Sequence, residues 1–316
     1  MKPILYLSKY NHTHDTGQNH PENQERTKVL EELFVEPPFH NWPQKLSLPA
    51  TEDQVKRAHD NDYFYGLLHY TPDRELVAID GDTILSNGSF DAALHAAGTV
   101  CCALDDIFSH ETKRAFCCVR PPGHHAEPDM AMGFCLLNNV MIGAKHAIET
   151  YKVGRIAIID FDVHHGNGTE RIAHFHNKEN EDHPIFYAST HAYPLYPMTG
   201  DPNDNNDYLC NVQLDEDFGS EAFRKAYIEE VFPALEAYQP DLIMISAGFD
   251  AHRKDKISGA YLETEDYRWI TKELVSLANK HCSGRICSVL EGGYELSSLK
   301  ESVRVHLEEL AEDEPS

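Results

Sequence analysis

Short apolar runs rich in β-branched residues alternate along the chain with longer segments whose hydrophobic residues recur at helical spacing. The short runs predict strands at Ile4–Leu7, Ala115–Val119, Ile156–Ile159, Ile185–Ala188, Leu242–Ile245 and Ile286–Leu290. The longer segments predict helices at Pro21–Val35, Ser89–Phe108, Asn138–Thr150, Ser220–Tyr238 and Thr264–His281. Continuous apolar strands that alternate with helices are typical of a parallel sheet covered on both faces. The pattern therefore predicts an α/β protein, a single domain with a mainly parallel central sheet flanked by helices.

The polar segments between these elements are short and carry local signals. The letters TEDQ at 51–54 have the form of a capping box at a helix start. The acidic segment 200–219 is expected to be a solvated excursion around one short strand, Tyr208–Leu214. Because no internal repeat or low-complexity linker divides the chain, residues 1–310 are expected to form one domain. The acidic residues 311–316 are expected to be a disordered tail.

The charge of the chain narrows its possible partners. Its 316 residues include 52 Asp and Glu but only 27 Lys and Arg, so the formal net charge is −25. This balance argues against direct binding of nucleic acid through a basic face. It favours cationic partners such as lysine-rich peptides or polyamines, although acidity that serves only solubility explains the charge equally well.

The cysteines and the N-terminus bear on the cellular compartment. None of the eight cysteines forms a CxxC pair, and the first apolar stretch is too short for a signal peptide or a membrane span. We therefore expect a reduced, cytoplasmic protein without a membrane segment. Export by a leaderless route and action in the nucleus are compatible with the same features.

Polar clusters follow four of the predicted strands. In chain order they are RPPGHHAEPDMAMGF, DFDVHHGNG, SAGFDAH and EGGY. Because ligands bind at the carboxyl ends of the strands in open α/β sheets, we expect the four clusters to form one site.

The second and third clusters predict a metal site. Side chains alternate along an extended chain, so Asp160, Asp162 and His164 point to one side. Asp162 and His164 could bind one ion with Asp250 as the third ligand, while Asp160 lies behind them. Three protein ligands with an open position are the pattern of catalytic zinc, and the same donors suit ferrous iron. Helix capping and turn chemistry would explain each residue singly, but they do not require the pattern Asp-x-Asp-x-His.

The remaining clusters offer groups for catalysis. Two carboxylates and a neutral imidazole cancel the charge of a divalent ion, which weakens it as a Lewis acid, so other groups must help to stabilise an oxyanion. His124, His125 and Tyr294 are the candidates. Adjacent histidines in a loop are more often exposed or structural, but the preceding Pro-Pro-Gly favours a rigid presentation here.

Taken in order, RPPGHHAEPDMAMGFCLLNN, IDFDVHHGNGT, SAGFDAH and LEGGY resemble the histone deacetylase family. The resemblance is closest to its class II-like branch, which includes bacterial amidohydrolases, and HDTGQNHPENQER resembles the opening loop of that family. It covers nearly the whole chain and implies an arginase/deacetylase-like fold, with residues 1–310 as the catalytic domain.

The resemblance implies roles for the candidate residues. The positions that match the zinc ligands are Asp162, His164 and Asp250. His124 and His125 match the tandem histidines that transfer protons, and the second of them usually activates water. Tyr294 matches the tyrosine that donates a hydrogen bond to the substrate carbonyl.

The partners of the two histidines differ. Asp160 matches the carboxylate behind His124, and Asn167 stands behind His125, which is the class II pattern. Because an amide cannot stabilise an imidazolium as a carboxylate does, the two histidines should differ in basicity.

The resemblance also implies substrate-binding and ion-binding residues. Gly133 and Phe134 match a tunnel wall around the lysine methylenes, and Tyr196 stands where the family usually has a second Phe. Without the motifs, both aromatic residues would be interpreted as core. Arg26 matches an arginine of the acetate-release cavity, although a lone arginine on a helix is more often a surface charge. The implied potassium site consists of Asp160, Ser189 and the carbonyls of Asp162 and His164.

The resemblance implies zinc-dependent hydrolysis of an N-acetyl amide, with acetyl-lysine of a cationic protein or peptide as the substrate. Three alternatives stay open: a deacetylase of acetylpolyamines or another small amide, a two-metal ureohydrolase of the arginase type, and a non-catalytic acetyl-lysine-binding module. His12, His14 and His20 lack a full ligand set for a second metal, so we interpret them as loop and rim residues.

Overall fold

A computed structural model of the chain describes residues 2–312. An eight-stranded sheet forms its centre, in the order β2-β1-β5-β10-β9-β6-β7-β8, and every neighbouring pair is parallel. The strands are β1 Ile4–Leu7, β2 Gln44–Leu46, β3 Val77–Ala78, β4 Ile84–Leu85, β5 Arg114–Cys118, β6 Ile156–Asp160, β7 Ile185–Ala192, β8 Leu209–Leu214, β9 Leu242–Ala247 and β10 Ile286–Leu290. β3 and β4 form a separate antiparallel hairpin. The predicted single α/β domain with a parallel sheet is confirmed.

Helices cover both faces of this sheet. They are α1 Glu25–Phe34, α2 Glu52–Lys56, α3 Asn61–Tyr70, α4 Ser89–Phe108, α5 Asn139–Tyr151, α6 Asn167–Glu179, α7 Ser220–Ala226, α8 Phe232–Tyr238, α9 Thr264–His281 and α10 Leu296–Leu310. A π-helical turn, Tyr227–Val231, joins α7 to α8. No helix among residues 2–312 is long and apolar enough to span a lipid bilayer.

The continuous apolar strands serve two hydrophobic cores. In β6, Ile156 and Ile158 pack with α4 and α5 on one face, whereas Ala157 and Ile159 pack with α1, α9 and α10 on the other. Burying an isoleucine side chain stabilises the fold by roughly 1.5–3 kcal/mol. A strand buried on both faces therefore needs apolar residues at every position, which explains why these strands lack polar alternation.

The structure corrects several predicted boundaries. The first helix begins at Glu25 rather than Pro21, because Glu22 turns inward to pair with Arg120. The predicted helix Ser220–Tyr238 widens to a π turn just ahead of Pro233, which has no N–H to donate to the preceding turn. The strand predicted at Tyr208–Leu214 begins one residue later and forms an edge of the sheet. Residues 313–316 of the predicted tail lie outside the described residues.

The topology brings the four polar clusters together. The strands that precede them, β5, β10, β9 and β6, are consecutive neighbours in the sheet. Because all four run in the same direction, their carboxyl ends and the following loops share one edge.

Candidate active site

A buried cluster of three side chains lies at this edge. Asp162 and His164 follow β6, Asp250 follows β9, and their ligand atoms all lie within 4.8 Å of one another. The Nδ1 atom of His164 is 3.0 Å from Oδ1 of Asp162 and 3.1 Å from Oδ2 of Asp250. The three predicted ligands therefore converge on one point.

The donors of this cluster fit a divalent metal ion. The backbone N–H of Gly292 donates to Oδ2 of Asp162 (2.9 Å), and that of Val163 donates to Oδ1 of Asp250 (3.0 Å). Oδ1 of Asp162 also accepts from the backbone N–H of His164 (2.9 Å), so backbone hydrogen bonds orient both carboxylates around the shared point. Burial and the Asp162 charge raise the pKa of Asp250 to about 6. A cation at the centre would relieve this repulsion, and two carboxylate oxygens with one imidazole nitrogen suit zinc or ferrous iron.

His124 is held by a carboxylate. Its Nδ1 lies 3.0 Å from Oδ2 of Asp160, which also accepts a hydrogen bond from the hydroxyl of Tyr187. Burial alone would lower the pKa of His124, but Asp162 and Asp160 outweigh it and raise the pKa to about 10. This arrangement favours a protonated His124 that can donate a proton.

His125 is held by an amide instead. Its Nδ1 lies 2.9 Å from Oδ1 of Asn167, whose Nδ2 donates to Oε1 of Glu127 at 2.8 Å. Since Arg171 pairs with the other oxygen of Glu127, this carboxylate fixes the orientation of the amide. Asn167 then accepts from Nδ1–H of His125, which leaves Nε2 as a free acceptor. Burial, with the charges of His124 and His164, holds the pKa of His125 well below its usual range.

Tyr294 stands beside the cluster of Asp162, His164 and Asp250. It is half-buried, its backbone N–H donates to Oδ2 of Asp255 at 2.6 Å, and its ring centroid is 5.7 Å from that of Phe134. Burial raises the pKa of its hydroxyl well above the ordinary value. The hydroxyl therefore stays protonated and can donate a hydrogen bond.

Two of the three predicted tunnel residues adjoin His125, and the ring of the third, Phe134, packs against Tyr294. Gly133 and Phe134 both have positive φ, and a Cβ on Gly133 would lie 2.5 Å from Cδ2 of His125, so only glycine fits there. The ring centroid of Tyr196 is 5.2 Å from that of His125. Phe134 and Tyr196 are only partly buried, unlike core aromatics. The structure thus brings them together beside the histidine pair.

A model of the histone deacetylase domain matches residues 20–310. The chain belongs to the histone deacetylase domain family. It is 39% identical over 299 residues to type-2 histone deacetylase 2 of Dictyostelium discoideum, which covers 86% of this chain but only 17% of that protein. It is 36% identical to the chloroplastic histone deacetylase 14 of Arabidopsis thaliana, with 90% of this chain and 71% of the relative covered.

Solved structures show the same relationship. The crystal structure of the HDA15 HD domain matches with a TM-score of 0.88 at 28% identity, and the match covers 97% of this chain and 90% of that one. The expected family and fold are therefore confirmed. Family membership supports a hydrolytic deacetylase activity.

Arg26 of this deacetylase-family protein is fully buried, so the alternative of a surface charge is wrong. Its Nε donates to the carbonyl of Gly293 at 2.7 Å, and its guanidinium carbon lies 4.9 Å from the centre of the Tyr294 ring. Arg26 also pairs with the buried Glu22. It thus lies directly beneath the site, and its role in product release stays a prediction.

Other residues that hold the site in place were not predicted from the sequence. Glu291 accepts hydrogen bonds from the backbone of Gly123 (2.7 Å) and His124 (3.1 Å), and Asp255 holds the backbone of Tyr294. Both are buried acids: Glu291 is the first residue of the EGGY cluster, and Asp255 lies three residues after SAGFDAH, which was the available signal. Glu127 lies inside the first cluster, but its contact with Asn167 spans 40 residues of sequence.

Two further ion sites were considered from the sequence, a potassium site and a second metal site. Ser189 is paired in register with Asp160 across β7 and β6, and its hydroxyl lies 3.0 Å from Nδ1 of His191. The potassium site stays a prediction. His12, His14 and His20 contact Glu31, Ser89 and the carbonyl of Asp82, and within residues 2–312 only Asp162, His164 and Asp250 form a group that could hold a metal ion. This disfavours a two-metal ureohydrolase.

Proposed function

We propose that this protein hydrolyses N-acetyl amides, with zinc bound by Asp162, His164 and Asp250 and with acetyl-lysine of proteins or peptides as its substrate. The observation that carries the proposal is the buried two-carboxylate, one-imidazole cluster beside two histidines, one held by Asp160 and the other by Asn167. Family membership supports the deacetylase chemistry.

When bound, a zinc ion would polarise the amide carbonyl and make a bound water more acidic. The side chains would divide the proton transfers between them. His125 accepts a proton from the attacking water at its free Nε2, while the water oxygen bonds to the carbonyl carbon. Tyr294 donates a hydrogen bond to the developing oxyanion. His124 then gives its proton to the nitrogen as the C–N bond breaks, which releases acetate and a free amine.

The preference for acetyl-lysine rests on shape. In this proposal Phe134 and Tyr196 form an aromatic wall suited to an aliphatic chain, with Gly133 between them and His125, and the net charge of −25 suits a cationic substrate of either class. In this proposal potassium lies behind the zinc site, held by Asp160, Ser189 and the carbonyls of Asp162 and His164.

The test is acetate release from an acetyl-lysine peptide and from N-acetylputrescine, measured side by side. We expect the wild type to prefer the peptide, and Asp162→Ala to lose both turnover and bound metal by mass spectrometry. Asp182→Ala, an exposed aspartate outside the site, is the matched control. Near wild-type turnover in Asp162→Ala would contradict the metal assignment, and a preference for the polyamine would contradict the substrate class.

A further inference from the structure

An apolar groove lies between α3 and the β3–β4 hairpin. Its volume is about 580 Å³. Its apolar walls include Tyr63, Leu67, Tyr70, Val77, Ile79, Met130 and Ala131. Tyr70 is 68% exposed and Met130 is 46% exposed. Exposed apolar side chains that line one concavity are typical of a binding surface.

The groove and the proposed active site share structural elements. The turn of the hairpin bears Thr83, whose Oγ1 accepts a hydrogen bond from the backbone N–H of Phe134 at 3.1 Å. Asp82, next to it, accepts a hydrogen bond at its carbonyl from His20, whose ring packs against Phe134. Met130 belongs to the same loop as Phe134. One hairpin and one loop therefore form walls of both the tunnel and the groove.

The charges around the groove select its occupant. Asp62 and Asp129 line it, and neither a lysine nor an arginine does so among the described residues. Asp80 and Asp82 lie on the adjacent hairpin turn. A second copy of this acidic chain would place carboxylates against carboxylates, which is unfavourable. A polypeptide with basic residues is complementary to this rim.

We propose that this groove binds the residues that flank the acylated lysine of a peptide substrate. A bulky apolar side chain packs between Tyr70 and Met130, and a neighbouring basic residue faces Asp62 and Asp129. This inference rests on the proposed function and deepens it. A small acetylpolyamine has no flanking residues to fill the groove, so the groove favours a peptide substrate.

The test compares two substrates in each variant. One is an acetyl-lysine peptide with flanking leucine and arginine, and the other is an acetyl-lysine with both backbone ends capped. For each variant we take the ratio of kcat/KM for the peptide to kcat/KM for the capped lysine. In the double variant Tyr70→Ala/Met130→Ala we expect this ratio to fall about tenfold, because the KM of the peptide rises. Tyr208→Ala, a partly exposed tyrosine at the amino end of β8, is the control and should keep the ratio.

A charge reversal tests the basic neighbour. The double variant Asp62→Lys/Asp129→Lys should have a lower kcat/KM for the arginine-flanked peptide and a higher kcat/KM for a glutamate-flanked peptide. Unchanged ratios in both double variants would overturn the groove proposal while leaving the proposed function intact. A wild-type dimer by sedimentation velocity that Tyr70→Ala dissociates would overturn it in favour of self-association. No turnover of either substrate by the wild type would contradict the proposed function, and the groove proposal with it.

Discussion

At the scale of single residues, the chemistry depends on the partners of two adjacent histidines. Asp162 and Asp160 raise the pKa of His124, whereas burial and the charges of His124 and His164 lower the pKa of His125, whose Nδ1 faces the amide of Asn167. The sequence predicted this difference from an aspartate and an asparagine at matching positions. It could not predict that Glu127 fixes the amide, because that contact exists only when two loops meet.

The pairing of Asn167 with Glu127 is open to a direct test. Asn167→Asp would place two carboxylates within hydrogen-bond distance of each other in a buried site, so we expect a loss of about 1–3 kcal/mol in the free energy of unfolding. Adding Glu127→Gln restores the hydrogen bond in the reverse direction, because the new amide at 127 donates to the new carboxylate at 167. Urea unfolding at neutral pH should show the double variant more stable than Asn167→Asp. An additive loss would contradict the described contact.

The hydroxyl of Tyr294 should act only on the reaction. Since it donates to the oxyanion, Tyr294→Phe should lower kcat by about 100- to 1,000-fold, with little change in KM or in melting temperature. Steady-state acetate release checks this. A variant with near wild-type kcat would remove Tyr294 from the mechanism, and Tyr208→Phe serves as the matched control.

At the scale of elements, buried strands were predictable and short exposed elements were not. β5, β6, β9 and β10 are apolar at nearly every position because both faces are covered. The edge strand β2 has only three residues, which is too short for a pattern. Three longer helices, α3, α6 and α10, were also missed. α6 begins inside the metal-site motif at Asn167-Gly168, where glycine and asparagine favour a turn.

The buried ion cluster under the site connects α1 to β5. Glu22 accepts hydrogen bonds from Arg120 (2.8 Å) and Arg26 (3.1 Å), and all three side chains are fully buried. Burial alone would raise the pKa of Glu22, but the two arginines outweigh it and lower the pKa from 4.5 to about 2. Sequence could not reveal this contact, because 98 residues separate Glu22 from Arg120.

Removing the charge of Glu22 should destabilise the fold. Glu22→Gln leaves two buried arginines without a counter-charge, so we expect a loss of about 3–5 kcal/mol in the free energy of unfolding at pH 7. Because the folded-state pKa is depressed, the Glu22 contribution is present above pH 4.5 and is lost as the pH falls toward about 2. Urea unfolding at several pH values checks both. Equal stability of Glu22→Gln and the exposed control Glu25→Gln would contradict the account.

At the scale of the whole molecule, the net charge of −25 acts on substrates before they reach the site. Screening shortens the range of this field from about 10 Å at 0.1 M salt to about 3 Å at 1 M. We therefore expect kcat/KM for an arginine-flanked acetyl-lysine peptide to fall several-fold across that range, at constant potassium concentration. The capped acetyl-lysine is uncharged and should change little. Equal salt dependence of both substrates would show that charge does not guide binding.

The central claim is that Asp162, His164 and Asp250 bind the ion that makes this chain a deacetylase. The most direct measurement removes metal from the purified protein with a chelator, then restores zinc stepwise and follows acetate release from the acetyl-lysine peptide. We predict that turnover is lost when metal is removed and that it recovers until one zinc is bound per chain. Asp162→Ala should have no turnover before or after zinc is added. Full turnover of the metal-free protein would contradict the claim.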